Sequence, residues 1–143
     1  MTRINIIPVS DLTDQHLIAE YREITMVPAA LTRTLNSKSG FSKNKISTKF
    51  TLNTGHVYFF YDKGLYLDKR YNSLVKEMTL RGFNPDVKRL FPKEIFPSEL
   101  FNDWTPNIED QELVRDRIKE KIAMKPNWYR KTEIVNDKPE GDL

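Results

Sequence analysis

The N-terminus holds the most unusual nucleophile in the chain. Removing Met1 from a sequence that begins Met-Thr exposes the α-amino group of Thr2. Such an amine has a reference pKa of about 7.7–8.0 against about 10.4 for lysine, so near neutral pH its uncharged form is on the order of several-hundredfold more available. It can attack an electrophilic sugar carbon and form an imine. Many chains begin this way, so the signal is unspecific by itself. His16, Glu20 and Glu23 fall at i, i+4 and i+7, on a helix face distinct from the Leu17, Tyr21 and Ile24 stripe. Glu23 would stand there beside an arm packed on the helix; the plainer reading is a surface glutamate, and a solvated or hydrogen-bonded ring for His16. Arg22 adjoins Glu23, as a phosphate clamp or as half of an ordinary surface pair. Arg117, Lys121 and Lys125 recur every four residues, either as a basic stripe or as a solvated face balancing Asp116 and Glu120. Trp128 and Tyr129 read more readily as core or lid aromatics than as base-stacking platforms.

Other chemistries are excluded. With 0 Cys there are no disulfides, thiolate zinc sites, iron–sulfur clusters or cysteine nucleophiles. His16 and His56 are too far apart for a zincin-type helix, so no metal is expected. Neither GxGxxG after a strand, a Walker loop nor a GxSxG elbow is present. No segment approaches the roughly 18 apolar residues of a membrane span, and MTRINIIPVSD lacks a signal peptide's apolar core. An intracellular, cytoplasmic protein in a reducing compartment is the expectation.

Charge is distributed unevenly. The formal net charge is +3, yet no Asp or Glu occurs from Ile24 to Tyr61, where Arg33, Lys38, Lys43, Lys45 and Lys49 lie. The segment Thr132 to Leu143 carries a net −3, leaving +6 for the remainder. A basic body suits phosphate contact, although a solvated loop accounts for the run equally well.

The elements that must position these groups are helical. The chain has 143 residues, 38% of them hydrophobic, with 8 Phe, 6 Tyr and 2 Trp, enough for one core. Residues 2–9 predict an extended arm. Ser10, Asp11, Thr13 and Asp14 are candidate caps for a helix over 14–36, kinked at Pro28. Residues 36–55 form a basic loop. A second helix spans 56–81, broken at Gly64 and capped by Gly82. The proline- and phenylalanine-rich stretch 83–104 resists regular structure. Thr105-Pro106 starts a third helix, with Ile108, Leu113, Ile118 and Ile122 inward, ended by Pro126. The fold class is all-α: a compact single domain of three main helices with an extended N-terminal arm.

Five blocks then carry a resemblance. MTRIN, SDLTDQHLIAEYRE, TGHVYFFYDK, RGFN and EKIAMKPNWY occur in order over about residues 1–129 and together resemble the pyrimidine dimer DNA glycosylases, the T-even phage type of endonuclease V. The resemblance implies a domain over 1–131, followed by an acidic tail over 132–143, and an arm that threads between helices. It implies that Thr2 attacks C1′ of a damaged nucleotide and that Glu23 stabilises the cationic sugar and helps move the C2′ proton, with β-elimination cutting the strand. Arg3, Gln15, His16, Arg22, Arg117 and Lys121 match positions that grip DNA, and Trp128 and Tyr129 match an aromatic pair. The implied partner is double-stranded DNA bearing a lesion, kinked and with a base flipped out. No cofactor and a monomeric state are implied, in a bacterial or phage-infected cell. The chain departs from the family's Pro-Arg with Thr25-Met26, which leaves lesion preference open. Three readings follow: excision of cyclobutane dimers with abasic-site cleavage, the same chemistry on another damaged or modified base, or a non-catalytic module that binds damaged duplex.

Overall fold

A computed structural model describes residues 3–134. Among the described residues the regular structure is helical throughout, without strands. The arm, residues 3–8, is irregular rather than extended throughout, turning at Ile6, and buries Ile4, Asn5, Ile6 and Ile7. After a single 3-10 turn, Thr13 caps α1 (Asp14–Glu23), its side chain accepting from the His16 amide. This cap satisfies a donor that the first helical turn leaves unpaired.

The expected helix over 14–36 is two helices. The break comes at Ile24 and Thr25, ahead of Pro28, and α2 (Met26–Leu35) starts afresh. Pro28 therefore sits in the first turn of α2, where its missing N–H costs nothing, rather than kinking a helix interior. The next helical segment does break before Gly64: α3 (His56–Phe59) passes through a 3-10 turn into α4 (Gly64–Leu80). A Cβ on Gly64 would lie 2.7 Å from Phe96 and 2.8 Å from Phe101, so only glycine admits these two rings. Gly82, at φ 89°, closes α4 by giving its N–H to Thr79 while the Phe83 N–H reaches the Met78 carbonyl, the Schellman pattern.

The stretch 83–104 contains two 3-10 turns and is pinned by buried Phe91, Phe96 and Leu100. Helix α5 (Ile108–Met124) begins two residues beyond Thr105-Pro106. Asn107 caps it in a reciprocal box with Asp110, which outcompetes the threonine because both partners satisfy an orphan amide. Its inward stripe is also shifted: Val114 and Ile118 are buried and Ile122 partly so, whereas Ile108 and Leu113 are exposed. The core joins the arm, Leu17, Tyr21 and Ile24 of α1, Val27 and Leu31 of α2, and Leu67, Tyr71 and Leu74 of α4. Helix α1 packs on α4, and α5 joins the core through Val114 and Ile118. No described helix is long and apolar enough to cross a membrane.

Candidate active site

The arm is fixed by side chains from elements distant in sequence. The Ile4 amide donates to His56 Nε2 at 2.9 Å, and His56 Nδ1 lies 2.7 Å from the Thr51 carbonyl. A nitrogen that accepts holds no proton, so the ring is neutral, with its hydrogen on Nδ1 and directed at Thr51. The Asn5 amide donates to Glu20 Oε1 at 3.0 Å, and Arg70 both pairs with Glu20 and donates to the Ile7 carbonyl. Between these two anchors Ile6 stands at φ 41°, with the Ile7 amide turned back onto the Asn5 carbonyl. A buried β-branched residue there costs about 1–3 kcal/mol and persists only where its surroundings over-determine it. Glu20 and Arg70, gripping the residues on either side, provide that constraint.

Between the arm, α1 and α5 opens a cavity of about 250 Å³, lined by Arg3 and Asn5, by His16, Ala19, Glu20 and Glu23, by Arg117, Ile118 and Lys121, and by Tyr129. The helical face His16, Glu20 and Glu23 forms one wall and the α5 cations the other. The two carboxylates differ in what they are free to do. Glu20 is consumed by Arg70 and the Asn5 amide, whereas Glu23, half-buried, makes no hydrogen bond or ion pair with any described residue. Burial pushes the Arg3 guanidinium below its usual range, Arg117 adds to this, and Glu23 opposes it. Burial likewise lowers His16, with Lys121 reinforcing the shift and Glu20 opposing it. The cavity is a cationic enclosure around one available carboxylate.

His16 and Tyr129 stack with ring centroids 4.9 Å apart and planes 4° from parallel. The chain beyond α5 is strapped back over α1 to make this contact. Gln15 donates to the Trp128 carbonyl at 2.6 Å and accepts from the Arg130 amide at 3.1 Å. Asp14 takes both the Thr132 amide and hydroxyl, and also Arg81. Burial alone would raise the Asp14 carboxyl, but the side-chain and backbone bonds from Thr132, with Arg81, hold it below the usual range.

The structure thus brings Arg3, His16, Glu23, Arg117, Lys121 and Tyr129 to one cavity. It places four other residues elsewhere. Gln15 tethers the strap, and Trp128 is exposed, edge-on to Tyr129 with Lys125 5.4 Å over its ring. Lys125 is therefore not part of the cavity's basic wall. Arg22 lines a separate groove beside Arg89, whose guanidinium reaches the Tyr21 and Arg22 carbonyls and the Thr25 hydroxyl. Thr2 lies outside the described residues. Among the described residues no group of three or more His, Asp and Glu could hold a metal ion.

Sequence reasoning passed over the arm's anchors, His56 and Arg70. A signal existed for Arg70: it falls three residues after Leu67 and four before Leu74, on the buried stripe of α4. Glu20 stands in the same relation to Leu17 and Ile24, so two charges were written onto facing apolar stripes.

The arm and α1 to α4, which carry Arg3, His16, Glu23 and the anchors His56 and Arg70, all fall within residues 1–90, and a family model described as pyrimidine dimer DNA glycosylase matches those residues. Since that stretch is 90 of the 143 residues, the chain belongs to the pyrimidine dimer DNA glycosylases, a family of DNA repair enzymes.

Proposed function

We propose that this glycosylase releases the base at a UV-induced cyclobutane pyrimidine dimer in double-stranded DNA and cuts the strand at the resulting abasic site, with the Thr2 α-amino group as the attacking atom. The nitrogen bonds to C1′ as the glycosidic bond breaks, and that electron pair leaves with the base. The sugar ring opens, the proton displaced from the amine ends on O4′, and a protonated imine joins the nitrogen to C1′. Loss of the C2′ proton then drives β-elimination: the C3′–O bond breaks and its electron pair departs on the phosphate. Glu23 stabilises the cationic sugar and accepts the C2′ proton, both tasks suited to a carboxylate because positive charge develops beside it.

One observation carries this reading. Arg3, one peptide and so about 3.8 Å of Cα spacing from Thr2, lines the same cavity as Glu23. Arg117 and Lys121 supply the opposite, phosphate-attracting wall, and Gln15, Arg22, Trp128 and Tyr129 flank it along the path of a duplex. Here residues 1–131 act as the catalytic domain of a monomer, and the acidic segment 132–143 follows it, its first residue Thr132 bonded to Asp14.

Borohydride reduction with abasic or irradiated duplex tests the reading. The expected result is a covalent protein–DNA adduct mapping to Thr2 in protein lacking Met1, and none when Met1 is retained or the amine is acetylated. Failure of protein with a free Thr2 amine to trap on abasic DNA overturns it. A panel of other lesions, assayed for base release, separates dimer excision from the same chemistry on another damaged base.

A further inference from the structure

We infer that His56 is a positioning residue for imine formation: its neutral ring holds the Ile4 amide, and so fixes the N-terminal amine two residues upstream against the cavity. This rests on the reading that the Thr2 amine attacks. His56 is buried, 2% exposed, at the start of α3, and does not line the cavity, so it acts only through the arm. Its two nitrogens are both spent, one accepting from Ile4 and one donating to Thr51. Of the arm's anchors only His56 is an imidazole, the side chain whose ordinary value lies nearest neutral pH.

Proton uptake by His56 puts an N–H against the Ile4 N–H. Two donors then face each other and the bond is lost. The surroundings resist that uptake. Phe50 and Phe60 present their rings at 5.5 and 5.3 Å, nearly perpendicular to the imidazole. Burial pushes the ring below the ordinary histidine value; the Thr51 hydrogen bond opposes this, Arg3 on the arm adds to it, and Glu20 on α1 opposes it. The grip is therefore intact at neutral pH and releases only in acid.

Two variants test this with single-turnover trapping on abasic duplex. His56→Leu deletes the acceptor, and we expect imine formation about 10–100-fold slower, with duplex affinity unchanged, because only the amine's placement is disturbed. His56→Gln offers an acceptor and a donor without a titrating proton, so it should restore the neutral-pH rate. Its rate should also fall less steeply than wild type as pH drops into the acid range, while the limb due to the amine remains. If His56→Gln gives a profile superimposable on wild type, the inference is overturned, whatever the folding of His56→Leu. Folded His56→Leu that traps at the wild-type rate overturns it too. If wild type itself fails to trap, the amine reading falls and takes this inference with it; if wild type traps and the variants are indifferent, only the role of His56 falls.

Discussion

Arg70 and Glu20 meet in the core between α4 and α1, Nε to Oε2 at 2.6 Å and Nη2 to Oε1 at 3.0 Å, with their side chains 7% and 0% exposed. The pair is more than a link between helices. The Glu20 oxygen that meets Nη2 also accepts the Asn5 amide, and Arg70 reaches past it to the Ile7 carbonyl. The arm's path is thus written by two charges on different helices.

Breaking that pair leaves an uncompensated buried charge. Arg70→Met or Glu20→Leu should each cost about 3–5 kcal/mol, while the double variant should cost clearly less than the two together, since it strands no charge. Urea unfolding of the four proteins measures the cycle.

Glu23 is the carboxylate free to act. Glu23→Gln keeps the shape of the cavity wall, so duplex binding should stay near wild type while strand cutting falls by about 10²–10⁴. Parallel gel-shift and cleavage assays check this; cutting at the wild-type rate would remove Glu23 from the chemistry.

Arg117 and Lys121 face the cavity from α5, and neither forms an ion pair with a described residue. Each, changed to alanine, should lower the slope of log affinity against log salt by about 1 and weaken binding on damaged and undamaged duplex alike. Affinity titrations from about 50 to 200 mM salt give the slope.

Gly64 tests the packing of the phenylalanine-rich connection. Its added methyl would meet Phe96 and Phe101 at 2.7 and 2.8 Å, and these are the bodies of packed rings rather than the ends of mobile side chains. Gly64→Ala should destabilise by about 1–3 kcal/mol despite alanine's better helix propensity. Thermal unfolding gives the sign.

Both histidines are held below their ordinary value in the fold by burial. Below about pH 6.5 the unfolded chain therefore binds more protons than the native one, and stability falls with pH until the folded values are passed. Their contribution is complete above that pH. Each histidine accounts for at most about 1.4 kcal/mol per pH unit, and His56→Gln should flatten this part of the curve. Asp14, held below the usual carboxylate range mainly by its Thr132 bonds against the effect of burial, adds a further loss below about pH 4. Denaturation midpoints across this window measure both effects.

Local signals were legible wherever a residue's neighbours in sequence decide its conformation. Gly82 ends α4 and Thr13 caps α1 because a left-handed turn and an orphan amide are satisfied within a few residues. The face shared by His16, Glu20 and Glu23 follows from helical period alone. The same local logic misplaced the start of α5, where Thr105-Pro106 and Asn107 with Asp110 compete within three positions and the reciprocal pair wins. It ran one helix through Pro28, and the interruption falls at Ile24 and Thr25, at the carbonyl four residues before the proline, as a full break rather than a bend.

The helical class, the turn chemistry and the residue types available for catalysis were readable from the chain alone, since these depend on contacts across one helical turn. It took the folded chain to bring Arg3 and Glu23 into one cavity with Arg117 and Lys121, and to leave Gln15 and Arg22 off its lining. Folding alone joined Ile4 to His56 across 52 positions and Glu20 to Arg70 across 50. Helical period marks Glu20 and Arg70 as buried but not as partners, and it carries no trace of the pairing of Ile4 with His56. Such pairings arise because a buried amide or charge must find a partner, and which partner is near is settled only when the arm and the helices have closed on one core.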